Sequence, residues 1–319
     1  LLAFNVLFGQ RIFGAKNWIS IGPLSLQPSE LVKIAFILAG AATLDRLFAK
    51  RNLIFTVLFS AYCVGCLALM SDFGTALVFF VAFLCIAFLR TGDLPSIVMM
   101  TAAAGFAGGL MLHFKPYIAD RFTVWHHAWE FAQSTGYQQT RTMSAVASGG
   151  LFGAGPTDAW LKYVGAANTD LVFGVVSEEF GLLLALCAVA AIILIAVFAI
   201  TSAATARSSF YTIASCAAAA MLTVQVTLNT LGSVDLLPLT GVTFPFVSMG
   251  GSSMLSCWSL MAFLKAADTR QNASFALRLP KRRPKTKPEP PKAKPSNGFF
   301  DEIPDIPVDE IFGKEDKPE

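Results

Sequence analysis

The sequence predicts an all-α, polytopic transmembrane protein, and three observations predict it. The chain is apolar, with 55% hydrophobic and 14% charged residues among 319. Its apolar residues gather in blocks of about 20, the length a helix needs to cross a bilayer. Its basic residues sit in short turns and after residue 265, while the net charge of +3 says little by itself. No nucleic-acid partner is expected.

Residues 1–9 read as the end of a helix, entered without Met or a signal-peptide pattern, so the chain reads as a fragment. Residues 10–28 read as a loop, punctuated by Gly14, Gly22, Pro23 and Pro28. Spans are expected at about 30–48, 53–70, 73–90 and 94–113. Residues 115–169 form a long polar and aromatic loop with a Gly-rich centre. A long span or bent pair covers 171–200, another covers 209–231, a loop runs over 232–248, and a last span lies near 250–267. That makes about seven full spans. Residues 1–269 form the transmembrane domain. Residues 270–319 form a tail, basic and Pro-rich over Pro280–Pro295 and acidic from Ser296, which is expected to be extended and disordered.

Orientation follows from Lys and Arg in short loops. Arg46, Lys50, Arg51, Arg90, Arg207, Lys265 and Arg270 all fall on one side if the spans alternate. That side, with the C-terminal tail, is cytoplasmic, and the loops at 10–28, 115–169 and 232–248 face outward. Arg11 and Lys16 break the rule, which suggests a local task such as holding an anionic group. The tail's basic run is a solvated flank or an attraction to anionic membrane lipids. The six cysteines lie in apolar spans, and Cys63 and Cys66 have no second pair nearby, so they read as small apolar residues.

The richest stretch for chemistry is Asn168-Thr169-Asp170 and the apolar run behind it, which contains Glu178 and Glu179. Acids at membrane depth cost several kcal/mol unless used or paired. Asp170 reads as a helix N-cap or as a catalyst. Glu178 and Glu179 lie about 12 Å deeper at 1.5 Å per residue, and one of them should line an internal cavity. Gln27-Pro28-Ser29-Glu30 opens a span, with Ser29 a fair N-cap. Glu30 and Lys33, on one helix face, form a structural ion pair or face a cavity. Ser71 or Asp72 caps the next span, or Asp72 lines a cavity. His126 and His127 are adjacent and point to different helix faces, a poor metal chelate. The run from Ser148 to Gly155 lacks a GK[ST] ending; it is a flexible turn or a loop bringing amides to a phosphate. Pro238 to Ser253 carries two prolines and three glycines. Irregular backbone at membrane depth must be buried in protein or line a cavity, so this segment is expected to fold back near Asp170.

These motifs occur in order: Gly14-Ala15-Lys16-Asn17-Trp18-Ile19, Gln27-Pro28-Ser29-Glu30 with Lys33, Asp72-Phe73-Gly74-Thr75, Gly136-Tyr137-Gln138, Ser148-Gly149-Gly150, Thr169-Asp170 through Glu178-Glu179, Thr240-Gly241 through Pro245-Phe246, and Gly250-Gly251-Ser252-Ser253. Together they resemble the SEDS family of bacterial cell-shape, elongation, division and sporulation proteins, the RodA, FtsW and SpoVE group, over residues 11–268. The resemblance implies ten transmembrane helices, of which about three precede this chain. It implies peptidoglycan glycosyltransferase activity on lipid II, an extracytoplasmic active site, and a complex with a class B penicillin-binding transpeptidase. Catalytic importance attaches to Asp170. Candidate substrate-binding residues are Glu30, Lys33, Arg121, Gln138, Arg141, Ser248, Ser252 and Ser253, with Asp72, Glu178 and Glu179 structural or cavity-lining. Lys115, Arg121, Arg141, Lys33 or a divalent cation such as Mg2+ or Mn2+ would neutralise the leaving pyrophosphate. Met249, Ser71, Asn17 and Ala166-Ala167-Asn168 depart from the family's usual Tyr, Pro, Arg and Pro-Glu lead-in. A lipid-precursor flippase, or a non-catalytic scaffold for a transpeptidase, is the alternative. The elongation, division and sporulation branches are not separated.

Overall fold

The computed structural model describes the chain except residues 13–14, 22–23, 44–48, 115, 205, 207 and 277–319. The expectations for Lys115, for Arg46 and Arg207, and for the tail from 277 lie outside the described residues. The chain divides into two units, Leu1–Ser274 and Phe275–Glu319. Of the second, only Phe275 and Ala276 are described.

The first unit begins with α1 (Leu2–Phe8), then strands β1 (Gln10–Ile12), β2 (Ala15–Ile21) and β3 (Leu24–Leu26). Helices α2 (Pro28–Thr43), α3 (Ala49–Leu69), α4 (Phe73–Thr91) and α5 (Leu94–Phe114) follow. The long loop contains α6 (Pro116–Val124), α7 (Tyr137–Gly149) and a 3-10 turn, Leu161–Tyr163. The chain continues through α8 (Val172–Phe180), α9 (Leu182–Ala204), α10 (Ser209–Ser233) and α11 (Gly251–Ala276). Each of the seven expected spans falls on a helix, or on the α8–α9 pair. Among the described residues, four helices are long and apolar enough to cross a membrane: α4, α5 (as Leu94–His113), α9 and α10.

The core sits around α10, which packs on α9, α4 and α2. Its inward face carries Ala214, Ala217, Ala218 and Ala219 beside Met221 and Leu222, all buried. Small residues let helix backbones approach closely, which is how helices gain contact where lipid removes the hydrophobic drive. Across from it, α4 buries Phe79, Ala82, Phe83 and Ile86, and Phe79 meets Phe36 of α2 at a ring separation of 4.9 Å. α9 shows the complementary pattern. Ala185, Ile192, Ala196, Ala199 and Ala203 face inward, while Leu183, Leu184, Leu194, Val197 and Ile200 are exposed. In a bilayer those outward side chains meet lipid. No residue of α5 within Leu94–His113 is buried.

Residues 10–26 hold a small antiparallel sheet, β1-β2-β3, rather than a plain loop. The run Trp18-Ile19-Ser20-Ile21 is β-branched and aromatic, which suits a pleated surface. Punctuation by Gly and Pro suggested a loop and hid the strands within it. Lys16 on β2 donates to the carbonyls of Val6 and Leu7 at 2.8 Å each. These are among the last, otherwise open carbonyls of α1, and a cation there also suits the helix dipole. Its local task is therefore a helix cap.

The Gly-rich run is packed backbone to backbone on α8. A Cβ at Gly149 would lie 2.2 Å from the Ser177 carbonyl oxygen. The amides of Ala154 and Gly155 donate to the carbonyls of Glu178 (2.8 Å) and Glu179 (3.1 Å), and the Leu182 amide donates to Gly150 (2.9 Å). The Ala154 and Gly155 amides are thus spent on α8 carbonyls rather than offered to a phosphate. Gly181, at φ +94°, breaks the apolar stretch into α8 and α9.

Overpacking at such a contact costs about 1–3 kcal/mol. Gly149→Ala is therefore expected to lower the thermal unfolding midpoint in detergent. Gly105→Ala, inside α5 where an added Cβ meets nothing within 4 Å, should not lower it and should raise it slightly through helix propensity.

Candidate active site

Asp170 stands immediately before α8, yet it does not cap it. The N-cap position belongs to Leu171, without a side-chain cap bond. The Asp170 carboxylate instead lines a cavity of about 370 Å³. Its walls come from separate parts of the chain: Asn17 of β2, Gln27 before α2, Asp72 before α4, Arg121 of α6, and Thr240, Thr243, Ser252 and Ser253 around the 237–253 segment.

Two loops are clasped together to form this wall. Asn229, buried in α10, donates from Nδ2 to the carbonyls of Asp170 (2.9 Å) and Val242 (2.8 Å). The Ser248 hydroxyl donates to the Thr169 carbonyl and accepts from the Phe244 amide at 2.7 Å. The Met249 amide donates to the Asn168 carbonyl at 2.8 Å. At these points the irregular backbone of both loops is satisfied by protein, which is what backbone without a ladder needs if it lies near the apolar layer. The 237–253 segment thus lies against the loop carrying Asp170. Asn229 was missed in the sequence, although a lone amide within an apolar helix is a signal of the same kind as an acid there.

Burial raises the Asp170 carboxyl from its ordinary range to about 6. A hydrogen bond from Thr169 and the Arg121 guanidinium oppose the rise, and the negative charge of Asp72 adds to it. Arg121 donates from Nη1 to the Leu239 carbonyl. Gly241, at φ +70°, brings the backbone close to both groups. A Cβ there would lie 3.1 Å from Asp170 Oδ2 and 3.9 Å from Arg121 Nη1.

The other acids are committed elsewhere. Asp72 caps α4, accepting the Thr75 amide at 3.3 Å, and its second oxygen accepts from Asn17 (3.2 Å) and Gln27 (3.4 Å). Glu178 is buried and accepts the amides of Trp160 (3.1 Å) and Leu161 (2.9 Å), so it anchors the 3-10 turn. Neither Glu178 nor Glu179 lines this cavity, and Glu178 takes the structural one of its two expected roles. Glu30 and Lys33 form an ion pair of 2.7 Å at 2% and 1% exposure, behind the cavity wall rather than on it. Pro28 takes the first helical position of α2, so Ser29 lies inside the helix instead of capping it.

Of the remaining candidates, Ser252 and Ser253 line the cavity. Ser253 shares a 3.0 Å hydrogen bond with Thr243. Ser248 is spent on the loop clasp. Gln138 donates to the Gly165 carbonyl at 2.9 Å and lines a neighbouring polar cavity with Arg121. Arg141 lies over the Tyr137 ring at 5.2 Å, away from Asp170's cavity. His126 stacks on Trp125, and among the described residues no three His, Cys, Asp or Glu side chains cluster as metal ligands.

The profile of the family described as "Cell cycle protein", comprising FtsW, RodA and SpoVE, matches residues 1–273. The chain is 31% identical over 284 residues to the probable peptidoglycan glycosyltransferase FtsW of Coxiella burnetii, covering 85% of this chain and 76% of that protein. It is 30% identical to the peptidoglycan glycosyltransferase RodA of Mycobacterium leprae over 79% of this chain and 57% of that one. Among solved structures it resembles a chain of a peptidoglycan synthase complex that coordinates polymerisation and crosslinking, with TM-score 0.68 and 25% identity over 84% of this chain and 78% of the other. It also resembles the Thermus thermophilus rod-shape-determining protein RodA, with TM-score 0.57 and 25% identity over 85% and 74% of the two chains.

Removing one partner of a buried ion pair costs about 3–5 kcal/mol, because the other charge is stranded. Lys33→Met is expected to unfold at a clearly lower temperature in detergent, and adding Glu30→Gln should recover most of the loss. A stable double variant that has lost activity would instead assign the pair a part in the reaction.

Proposed function

The chain belongs to the FtsW, RodA and SpoVE family of cell-cycle proteins, and from that premise we propose that it is a bacterial membrane peptidoglycan glycosyltransferase that polymerises lipid II with Asp170 as general base. One observation carries the assignment: the Asp170 carboxylate turns away from the helix it precedes and into the cavity, beside Arg121. A mere cap would bond the first amides of α8.

A sugar hydroxyl is a poor nucleophile at neutral pH, and a positioned carboxylate supplies the missing activation. The acceptor's 4-hydroxyl attacks the anomeric carbon of the donor with inversion. The new C–O bond forms as the bond to pyrophosphate breaks, the hydroxyl proton passes to Asp170, and the polyprenyl pyrophosphate departs. Its developing charge needs a fixed cation. Arg121 suits that role best, because it lines the cavity, whereas Lys33 is paired behind the wall and Arg141 lies on Tyr137. If a divalent cation assists, Asp72 and Asp170 are the carboxylates on the cavity wall that would hold it. Such a cation would be held chiefly by the substrate's own phosphates. The basic residues of the short turns support an extracytoplasmic cavity and a cytoplasmic tail. A class B penicillin-binding transpeptidase is the expected partner, in keeping with the synthase complex that the fold resembles.

The test is lipid II polymerisation in detergent by the full-length protein with its transpeptidase partner present. Asp170→Asn should cost about 10²–10⁴ in rate, the usual worth of a general base. Arg121→Ala should cost about 10²–10³, and Arg141→Ala far less. The raised carboxyl sets the pH profile. The base works ionised, so the rate should climb as pH rises through about 6 and level off above it. At pH 5 roughly a tenth of the plateau should remain. Folded wild-type protein that makes no strands would return the reading to transport or to a scaffold.

A further inference from the structure

A second polar cavity, of about 360 Å³, adjoins that of Asp170. Arg121 lines both, and the consecutive residues Leu239 and Thr240 line one each. The partition between them is fixed, because Arg121 donates to the Leu239 carbonyl. The far wall is the turn before α7 and the start of that helix, with Ser134, Thr135, Tyr137, Gln138 and Gln139. It is pinned as well. Gln139 donates from Nε2 to Asp235 Oδ1 at 3.1 Å, and Gln138 donates to the Gly165 carbonyl at 2.9 Å. Gly165 directly precedes Ala166, which lines the cavity of Asp170 and whose carbonyl accepts the Asp170 amide at 2.9 Å. The two spaces are thereby held at a set distance from each other.

The lining suits a saccharide. Its charged residues are Asp120 and Arg121, one of each sign, so the space favours an uncharged ligand. Hydroxyls and side-chain amides supply donors and acceptors together, as the hydroxyl and acetamido groups of a sugar need. Tyr137, 38% exposed, adds an aromatic ring as an apolar surface for the C–H face of a pyranose. Asp120, Ser134 and Thr135 are exposed, so the cavity opens to water. A polymerase that releases its strand after each step must capture it again. A strand held beside the reaction centre instead reacts at the high effective concentration of a tethered group. We propose that this cavity is a retention subsite for the growing strand, holding the β-1,4-linked N-acetylhexosamine units that lie beyond the reacting disaccharide. This assignment rests on the glycosyltransferase reading and goes beyond it by giving the polymer a second foothold, which sets strand length.

The experiment uses the full-length protein in detergent with its transpeptidase partner. Tyr137→Ala removes the ring, and Thr135→Trp fills the cavity from its exposed rim, so whichever folds carries the test. Tyr163→Ala, at a residue 82% exposed and outside both cavities, is the control. The first readout is calorimetric binding of a lipid-free, peptide-free tetrasaccharide of β-1,4-linked N-acetylglucosamine. Tyr137→Ala or Thr135→Trp should weaken it about tenfold, the order of one aromatic contact, and the control should not. The second readout is strand length. The first coupling of two lipid II molecules should keep its rate, while strands shorten about tenfold, because weaker retention acts on release. Equal slowing of the first coupling and of elongation, unchanged strand length, or displacement of the tetrasaccharide by free stem peptide would each overturn the assignment. The two readings separate cleanly. Saccharide binding that depends on Tyr137, by folded wild-type protein that makes no strands, removes the activity and keeps the subsite. Strands of full length with binding indifferent to both substitutions remove the subsite and keep the activity.

Discussion

The site hangs on one side-chain amide. Asn229 projects from the tightly packed α10 and gives its two N–H groups to carbonyls on two loops, Asp170 on one and Val242 on the other. Neither loop has a regular ladder to fix it. Both stand where water is scarce, so an unmet carbonyl costs roughly 1–3 kcal/mol or more. The amide satisfies both loops at once, and so fixes the distance between the reactive carboxylate and the segment carrying Gly241 and the serines. Ser248 and the Met249 amide reinforce the same seam. The helix behind Asn229 can hold still because its alanines bring α4, α9 and α2 close. The geometry of the cavity is thus inherited from the packing of the bundle.

Within that frame, the acids are told apart by what they are already bonded to. Asp72 is filled by a backbone amide and two side-chain amides, Glu178 by two backbone amides, and Glu30 by Lys33. Each carries charge in the interior because fixed donors compensate it. Asp170 is compensated less completely, by Thr169 and by the field of Arg121, and burial outweighs both. A carboxyl that titrates near the working pH accepts a proton readily and is still largely ionised at neutrality. Incomplete satisfaction here is the property that distinguishes a reagent from a strut.

Much of this was legible in the sequence. Long apolar blocks announce helices, because bilayer thickness sets their length. The prolines and glycines of 237–253 announced a segment that had to be satisfied by protein, and it lies against Asp170. What stayed hidden depends on contacts between distant residues. Nothing local shows that Ser248 is spent on Thr169, or that Lys33 is sealed off with Glu30 behind the wall. Nor does it show that Glu178 serves a turn 17 residues upstream. The strands at 10–26 escaped for another reason. Three residues are too few to display alternation, and β1 and β3 have only three each. Asn229 was visible as an amide in an apolar run, but its partners were not.

The break at Gly181 decides more than the shape of one helix. α8 has nine residues, about 13 Å of helix, less than half of a hydrocarbon core. It therefore enters the apolar layer without crossing it, and only α9 counts as a passage. The number of crossings between Asp170 and the 237–253 segment is then two, through α9 and α10, and an even number returns the chain to the leaflet it left. Had the apolar run from 172 to 204 made two passages, the parity would be odd, and the two halves of the cavity would stand on opposite sides of the membrane. The shortness of α8 thus leaves both halves of the cavity on one side of the membrane, a division of the run that averaged hydropathy does not register.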